Sequence, residues 1–360
     1  MKKIITLLLA LVLVLSLAAC ASSTDSGTPS NDTAADQTSS ADTTDTAAQP
    51  TEETSAPKDG LTIQIVPMST ASDYWNALRS GAEAAAEEFG TEYGGITILY
   101  DGPARNGDSQ GQIDIMNNAV TAGVDGILLA ATDPEALHSA VVDAEENGVY
   151  VCTVDSGVEP NDASSFICTD NVSGCKKLGE YMAEVIGYEG KYAIIGDNYA
   201  FAAGVDRPEG FNQGMQEYEN IEYLGIQLAD SDIPTAESMA LNYLTANPDI
   251  SVIFCSNDAA ITGASNAFLQ EGICGEVKLC SVDVSEDIIS YIKTGMVTAT
   301  VLQSPYNMGY EGVKTILALL NGQSVEKQVD AGTYLLTKDN LDTDEALAAI
   351  RQYLPNYQPE

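Results

Sequence analysis

Short apolar runs alternate with longer amphipathic stretches from residue 61 to the end of the chain. LTIQIVPM at 61–68 and SVIFC at 251–255 are two such runs, rich in Val, Ile and other large apolar residues. Continuous apolar runs of this length are typical of strands that are buried on both faces of a sheet. The remaining runs cover 96–100, 126–131, 149–154, 192–196, 221–228, 277–282 and 297–302.

Between these runs, apolar residues recur every three or four positions, which predicts helices. Three clear cases end in glycine, at Gly90, Gly272 and Gly322, where glycine can end a helix. Strands that alternate with helices indicate βαβ units and parallel sheets. Because about 300 residues are enough for two cores, we predict an α/β fold of two doubly wound lobes.

The N-terminal residues depart from this pattern. Lys2 and Lys3 precede an apolar run at 4–17, which is too short to span a membrane comfortably and suits the core of a signal peptide. The sequence LAAC, ending at Cys20, resembles a bacterial lipoprotein signal. We therefore predict a signal peptide at 1–19 and lipidation of Cys20, with an ordinary secretory signal as the alternative.

Residues 21–60 contain no Leu, Ile, Val, Met or aromatic residue. Such a segment cannot bury enough apolar surface to offset the entropy lost on ordering. We predict that residues 20–60 form a lipidated, disordered tether with a root-mean-square reach of roughly 35 Å. The protein would then be anchored by lipid alone to the extracytoplasmic face of the cell membrane.

The composition excludes some partners. With 53 acidic and 15 basic residues, the formal net charge is −38, which argues against binding to nucleic acid or to anionic lipid.

Six cysteines remain besides Cys20. An even number would permit disulfides, but Cys152, Cys255 and Cys280 lie in apolar runs, so we expect mostly free thiols. No C-x-x-C pair or nucleotide motif is present, and we predict no metal and no cofactor.

Polar side chains follow most of the predicted strands. In open α/β sheets, ligands bind beyond the carboxyl ends of the strands, so we expect these side chains to face a cleft. Asp and Asn also cap helices, and a cap stays the alternative at each single position. Gln303 is harder to explain in this way. The residues are Asp101, Asp133, Asp155, Asp197, Asn198, Asn257, Asp258, Asp283 and Gln303.

Carboxylates, amides and a guanidinium around one cleft would suit a sugar, because each sugar hydroxyl both donates and accepts hydrogen bonds. The apolar faces of a sugar ring suit aromatic side chains. Tyr74 and Trp75, the only tryptophan, stand just after the first predicted strand. Arg207 directly precedes Pro208, where we expect a helix to begin. Taken alone, core packing would explain the aromatic pair and a surface position would explain the arginine.

Several motifs in order resemble the ribose/galactose-type periplasmic sugar-binding proteins, which are type I solute-binding proteins of ABC importers. The motifs are DYW, TVDSG, VDRPEGF, FCSNDAAITGA, SVDVSED and TVLQSPYNMG, and the resemblance covers about residues 61–340. It implies two lobes joined by a three-segment hinge, at 61–167 plus 304–332 and 168–303 plus 333–360. It also implies that a sugar binds between the lobes.

The resemblance implies roles for single residues as well. Aspartates and amides would bind the sugar hydroxyls, the arginine would donate to ring and hydroxyl oxygens, and the aromatic pair would pack on the ring. Ser156 stands where ribose-binding members carry an arginine, so a hexose, another pentose or a polyol stays equally open. The candidate ligand-binding residues are Tyr74, Trp75, Asp155, Arg207, Asn257, Asp258, Asp283 and Gln303.

We therefore predict a monomeric substrate-binding lipoprotein of an ABC transporter, with a monosaccharide and the permease subunits as partners and no enzymatic activity. A sensory receptor subunit that reports a sugar without transport is one alternative. A surface glycosidase is another, but among 53 acidic residues a pair of carboxylates carries little information. No G-x-S-x-G motif is present, and His138 is the only histidine.

Overall fold

The computed structural model describes residues 60–359. The predicted signal peptide, the lipidation site Cys20 and nearly all of the predicted tether lie outside the described residues. Within 60–359, no helix combines the length and apolar character needed to cross a membrane.

The described residues form two six-stranded sheets. The first sheet has the strand order β11-β5-β4-β3-β1-β2, and all of its strands are parallel. Parallel pairing requires long crossovers, and helices supply them except between β4 and β5, which a loop connects. Its strands are β1 (Leu61–Val66), β2 (Ile96–Tyr100), β3 (Gly126–Leu129), β4 (Tyr150–Val154), β5 (Ser165–Cys168) and β11 (Gln328–Asp330).

The second sheet repeats this arrangement with the order β12-β10-β9-β8-β6-β7. Only β12 runs antiparallel to its neighbour, β10, among the strands of this sheet. Its strands are β6 (Gly190–Gly196), β7 (Ile221–Leu228), β8 (Val252–Cys255), β9 (Lys278–Val282), β10 (Val297–Leu302) and β12 (Tyr334–Thr337).

Helices cover both faces of each sheet and create two apolar cores per lobe. The first lobe has α1 (Asp73–Phe89), α2 (Ser109–Ala122), α3 (Pro134–Glu146) and α9 (Pro305–Leu320). The second has α4 (Asn171–Val185), α5 (Ala202–Met215), α6 (Ile233–Ala246), α7 (Asp258–Glu271), α8 (Glu286–Thr294) and α10 (Asp344–Tyr353).

The packing of α1 against α9 depends on glycine. A Cβ atom on Gly81 would clash with the carbonyl of Tyr306, and one on Gly309 would clash with the carbonyl of Leu78. The two helices therefore approach closely and cover one face of the first sheet. This packing fixes the N-terminal turn of α1, which carries Tyr74 and Trp75.

The chain passes between the lobes three times: from β5 to α4, from β10 to α9, and from β11 to β12. The predicted α/β fold of two doubly wound lobes with a three-segment hinge is therefore confirmed. All nine predicted strands are present, whereas β5, β11 and β12 were not predicted.

The six cysteines of the described part are free, and only Cys274 is exposed.

One local prediction was confirmed and one was wrong. The first helical segment ends as predicted, because α1 stops at Phe89 with Gly90 at its C-cap, and a short 3-10 helix then follows over Gly90–Tyr93. Arg207 and Pro208 do not begin a helix; both lie inside α5. Proline lacks an N–H group, so the carbonyl four residues earlier loses its usual helical partner.

Candidate ligand-binding site

A cleft of about 1340 Å³ lies at the carboxyl ends of the strands and is lined by residues of both lobes. The first lobe contributes the residues that follow each of β1 to β5. The second contributes loops that follow β6, β7, β8 and β9. In parallel sheets these ends meet at one edge, where ligands bind.

The structure brings seven of the eight predicted ligand-binding residues to this cleft. They differ in exposure: Arg207 and Gln303 are buried, Asp155 and Asp283 are partly buried, and Asp258 is exposed. Trp75 lines the cleft although it is only 6% exposed and packs in the core of the first lobe. The seven residues are Tyr74, Trp75, Asp155, Arg207, Asp258, Asp283 and Gln303.

Asn257 is the exception, and it is absent from the residues that line this cleft. Its side-chain oxygen accepts a hydrogen bond from the backbone N–H of Ala260 at 2.9 Å and so caps α7. Its amide nitrogen donates to Oγ of Ser231 at 3.1 Å. Both ends of the side chain are thus occupied within the second lobe, and the structure favours the helix-cap alternative for this residue.

Asp155 and Asp283 occupy equivalent places in the two lobes. Asp155 follows β4 and Asp283 follows β9, and these strands hold the same position in the two sheets. Both residues have left-handed backbones, with φ 63° and φ 75°. For a residue other than glycine this conformation costs about 1–3 kcal/mol and persists where neighbouring structure enforces it. Here the backbone N–H groups donate to Ile167 and Val301 of the adjacent strands.

A hydrogen-bond network connects these two aspartates across the cleft. Nε2 of Gln303 donates to Oδ1 of Asp283 at 2.7 Å, and Oε1 of Gln303 accepts from Oγ1 of Thr169 at 3.0 Å. The hydroxyl of Tyr74 donates to Oδ1 of Asp155 at 2.6 Å and lies 3.4 Å from Oε1 of Gln303. Gln303 lies where the chain crosses between the lobes, so the network joins both lobes at the hinge.

Arg207 is held from two sides. Its Nε donates to Oδ1 of Asn171 at 2.8 Å, and its Nη1 donates to the carbonyl of Ser256 at 2.9 Å. Nη1 also lies 3.8 Å from Oδ2 of Asp283. A guanidinium has five N–H donors in a rigid plane. These contacts fix the orientation of that plane on the side of the cleft that the second lobe forms.

Burial changes the proton affinity of several groups in the cleft. Burial raises the pKa of Asp155, although the Tyr74 hydrogen bond and the charge of Arg207 act in the opposite direction. Burial and the nearby Asp155 raise the pKa of Tyr74 well above its usual value. Partial desolvation at the rim of the cleft, with the charges of Asp283 and Asp287, raises the pKa of Asp258, although its side chain is exposed. These directions describe a poorly hydrated site in which negative charge is disfavoured.

The cleft is strongly acidic. Seven acidic side chains line it, against one basic side chain, Arg207, within the described part of the chain. No group of three or more His, Cys, Asp or Glu residues between 60 and 359 could hold a metal ion. The acidic residues are Asp73, Asp155, Glu159, Asp197, Asp206, Asp258 and Asp283.

Sequence reasoning missed four polar lining residues that are hydrogen-bonded to Gln303 or Arg207: Thr169, Asn171, Ser256 and Tyr353. Thr169 and Asn171 follow β5, which was not predicted, so neither was recognised as ending a strand. Ser256 follows β8 and could have been found by the same rule as its neighbours. Tyr353 is 50 positions from its partner Gln303, and no local pattern points to it.

Two doubly wound lobes around a polar cleft define a protein that binds a small solute between its lobes. Residues 63–324 match the family model of the periplasmic binding protein domain. The chain therefore belongs to the periplasmic binding protein family.

Three relatives of this chain are binding proteins of sugar transport systems. The ribose import binding protein of Salmonella typhimurium is 28% identical over 279 residues, which cover 77% of this chain and 90% of the relative. An ABC transporter solute-binding protein of Agrobacterium vitis, solved with bound D-fucose, is 31% identical, with a TM-score of 0.68 and coverage of 80% and 99%. A carbohydrate transporter solute-binding protein of Agrobacterium radiobacter, in complex with D-arabinose, is 30% identical, with a TM-score of 0.70 and coverage of 81% and 99%.

These relatives are binding proteins of transport systems. The predicted family, the ribose/galactose-type solute-binding proteins of ABC importers, is therefore confirmed, as is the prediction that the chain belongs with binding proteins and not with enzymes.

Proposed function

We propose that this protein is the extracytoplasmic substrate-binding component of an ABC sugar importer and binds one monosaccharide in the interlobe cleft. The observation that carries the proposal is the pair of equivalent aspartates, Asp155 and Asp283, which reach one cleft from opposite lobes and are connected through Tyr74 and Gln303. Carboxylates at two sides of a small ring can accept hydrogen bonds from hydroxyls at opposite edges of that ring.

The other side chains of the cleft complete such a site. Arg207 supplies donors for ring and hydroxyl oxygens, and the amide of Gln303 supplies both a donor and an acceptor. Tyr74 and Trp75 supply aromatic surface for the apolar faces of the sugar. Asp258 is the most exposed of the set and stands at the rim. Asn257 is left out of the proposed set because it caps α7.

Ligand binding is proposed to close the cleft. Its volume of about 1340 Å³ exceeds the 300–1,000 Å³ that is usual for small-molecule sites. We propose lobes at 61–167 plus 304–332 and at 168–303 plus 333–360, which rotate about the three crossings. Hinge closure of this kind is a known property of periplasmic binding proteins, and a ligand that contacts both lobes stabilises the closed state by its higher affinity for it.

The charge of the cleft supports a neutral ligand. An anionic sugar, such as a uronic acid or a sugar phosphate, would meet seven acidic side chains and one guanidinium. Like charges at short distance in a poorly hydrated site are costly. The ribose, D-fucose and D-arabinose named for the relatives are neutral. We therefore propose a neutral pentose, hexose or polyol.

The cellular arrangement is also part of the proposal. The LAAC sequence supports a lipid on Cys20, and the family of the chain supports a position outside the cytoplasm. The 20–60 segment would tether a monomeric receptor to the membrane, where it delivers sugar to the permease subunits of the transporter.

A thermal-shift panel tests the proposal. The panel contains D-ribose, D-allose, D-arabinose, D-fucose and xylitol, with D-glucuronate as an anionic probe. At 100 times its dissociation constant, a ligand adds about 2.7 kcal/mol to the free energy of unfolding, and we expect at least one neutral member to do so. D-glucuronate should give no shift. A panel in which only the anion stabilises the protein would contradict the proposed ligand class, and no shift with any member would contradict the proposed function.

A further inference from the structure

The C-terminal helix α10 reaches the ligand cleft from outside the family domain. The match to the periplasmic binding protein domain ends at residue 324, and α10 covers Asp344–Tyr353. Tyr353, the last residue of this helix, and Leu354 nevertheless line the cleft. The lining of the cleft therefore includes a segment that lies beyond the residues matched by the family model.

The end of α10 is bonded to the hinge. The backbone N–H of Gln303 donates to the hydroxyl of Tyr353 at 2.8 Å. Oγ of the next residue, Ser304, donates to Oε1 of Gln352 at 3.1 Å. Two consecutive residues of the β10–α9 crossing are thus held by two consecutive residues of α10.

Ser304 makes this contact but not the one that is usual at its position. It occupies the N-cap position of α9, yet its side chain makes no capping hydrogen bond. Serine is favoured at that position because its hydroxyl usually accepts from the first turn of the helix. In this chain the hydroxyl instead connects the crossing to α10.

Tyr353 also supports the aromatic side chain of the opposite lobe. Its ring lies 5.7 Å from the ring of Tyr74, centroid to centroid, at an interplanar angle of 60°. Tyr74 itself packs against the main cores of both lobes and donates to Asp155. Tyr353 therefore contacts two residues, Gln303 and Tyr74, that orient the two cleft aspartates.

We propose that α10 is a third structural component of the sugar site, with Tyr353 and Gln352 as positioning residues that set ligand specificity. Tyr353 accepts from the backbone N–H of Gln303 and so positions the side-chain amide of Gln303, which donates to Asp283. Tyr353 also packs against Tyr74 and so positions the hydroxyl that donates to Asp155. Gln352 holds the adjacent residue of the crossing. The proposal rests on the proposed sugar-binding function of the cleft.

Removal of one hydroxyl tests this assignment. Tyr353→Phe keeps the ring but leaves the buried N–H of Gln303 without its acceptor. We expect the affinity for the tightest-binding of D-ribose, D-allose, D-arabinose and D-fucose to fall about three- to tenfold, the range given by one lost neutral hydrogen bond. We also expect the affinity ratio between the two tightest of these sugars to change, which a merely structural defect would leave unaltered. Isothermal titration calorimetry measures both.

The matched control is Tyr357→Phe. Tyr357 lies four positions further along the same segment, and its hydroxyl is buried with no hydrogen-bond partner among residues 60–359. Removing it should leave both the affinity and the ratio within about twofold of the original protein, because no hydrogen bond is lost.

The outcomes separate the two proposals. If the unaltered protein binds a sugar and Tyr353→Phe binds it with the same affinity and ratio, the role of α10 is wrong and the proposed function stands. If the unaltered protein binds no neutral member of the thermal-shift panel, xylitol included, both fail. If Tyr353→Phe does not fold, Gln352→Leu and Ser304→Ala decide: weaker binding with an altered ratio supports the role of α10, and unchanged binding refutes it.

Discussion

Asp155 combines two features that destabilise the folded protein, a left-handed backbone with φ 63° and a carboxylate whose pKa burial raises. A carboxyl group with a raised folded-state pKa contributes stability that is fully present below the unfolded-state pKa of about 3.9 and is lost as the pH rises through the folded-state value. At neutral pH the ionised side chain therefore lowers the free energy of unfolding. Costs of this kind are typical of binding sites.

The substitution Asp155→Asn should separate stability from function. It removes the charge and keeps a side-chain oxygen that can accept from Tyr74. We expect the ligand-free protein to gain about 0.5–2 kcal/mol, the range for relief of an unfavourable functional residue, while sugar affinity falls at least about tenfold through loss of a charged acceptor. Thermal denaturation with and without sugar measures both effects.

The pH dependence of sugar affinity provides the control. In the unaltered protein, sugar affinity should fall as the pH is lowered from neutral toward the raised pKa of Asp155, because the protonated carboxyl group is a poorer acceptor. The same titration of Asp155→Asn should be flatter. A substitution that lowers stability and leaves affinity unchanged would contradict this account of Asp155.

The sequence identified the cleft residues that follow predicted strands, such as Asp155 and Asp283, because parallel strands bring their carboxyl ends to one edge. It could not decide the role of Asn257, since one asparagine suits both a sugar hydroxyl and a helix N-terminus. It also could not find Tyr353, whose contacts with Tyr74 and Gln303 depend on how distant segments pack.

At the scale of secondary-structure elements, the residues that follow a strand also precede a helix, so each of them can either cap the helix or line the cleft. Asn257 lies between β8 and α7 and is the N-cap of α7, where it accepts from the backbone N–H of Ala260. The adjacent Asp258 is the first residue of α7 and lines the cleft. A difference of one position thus separates a residue that caps a helix from one that lines the cleft.

Asn257→Ala tests this division. Loss of the cap should lower the free energy of unfolding by about 1 kcal/mol, measured by urea denaturation, and leave sugar affinity within about twofold. Asn257→Asp, which retains a capping oxygen, should keep the stability. A large loss of affinity with unchanged stability would instead return Asn257 to the ligand site.

The elements that the sequence missed are short or lie at sheet edges. β5 has four residues, and β11 has three, two of which are exposed. β11 carries too few apolar positions for a pattern to emerge, and β11 and β12 pair with strands that are distant in sequence. Long buried strands such as β1 and β10 were predicted because their own residues specify them.

At the scale of the whole molecule, the two lobes repeat one architecture. Replacing β1–β5 and β11 by β6–β10 and β12 converts the strand order of the first sheet into that of the second. Little of the sequence shows this repetition, because many apolar residues can fill equivalent core positions. The repetition explains why Asp155 and Asp283 reach the cleft from opposite sides.

Calorimetric titration of paired substitutions tests most directly whether both lobes bind one sugar. Asp155→Ala removes a carboxylate of the first lobe, Asp283→Ala removes its equivalent in the second, and Asp133→Ala, a cap of α3 that follows β3, serves as the control. With the tightest-binding neutral sugar of the panel, we predict that each cleft substitution weakens binding by about 1.5–3 kcal/mol, roughly tenfold to over a hundredfold, and that the control does not. Unchanged affinity after either cleft substitution would contradict a site shared between the lobes.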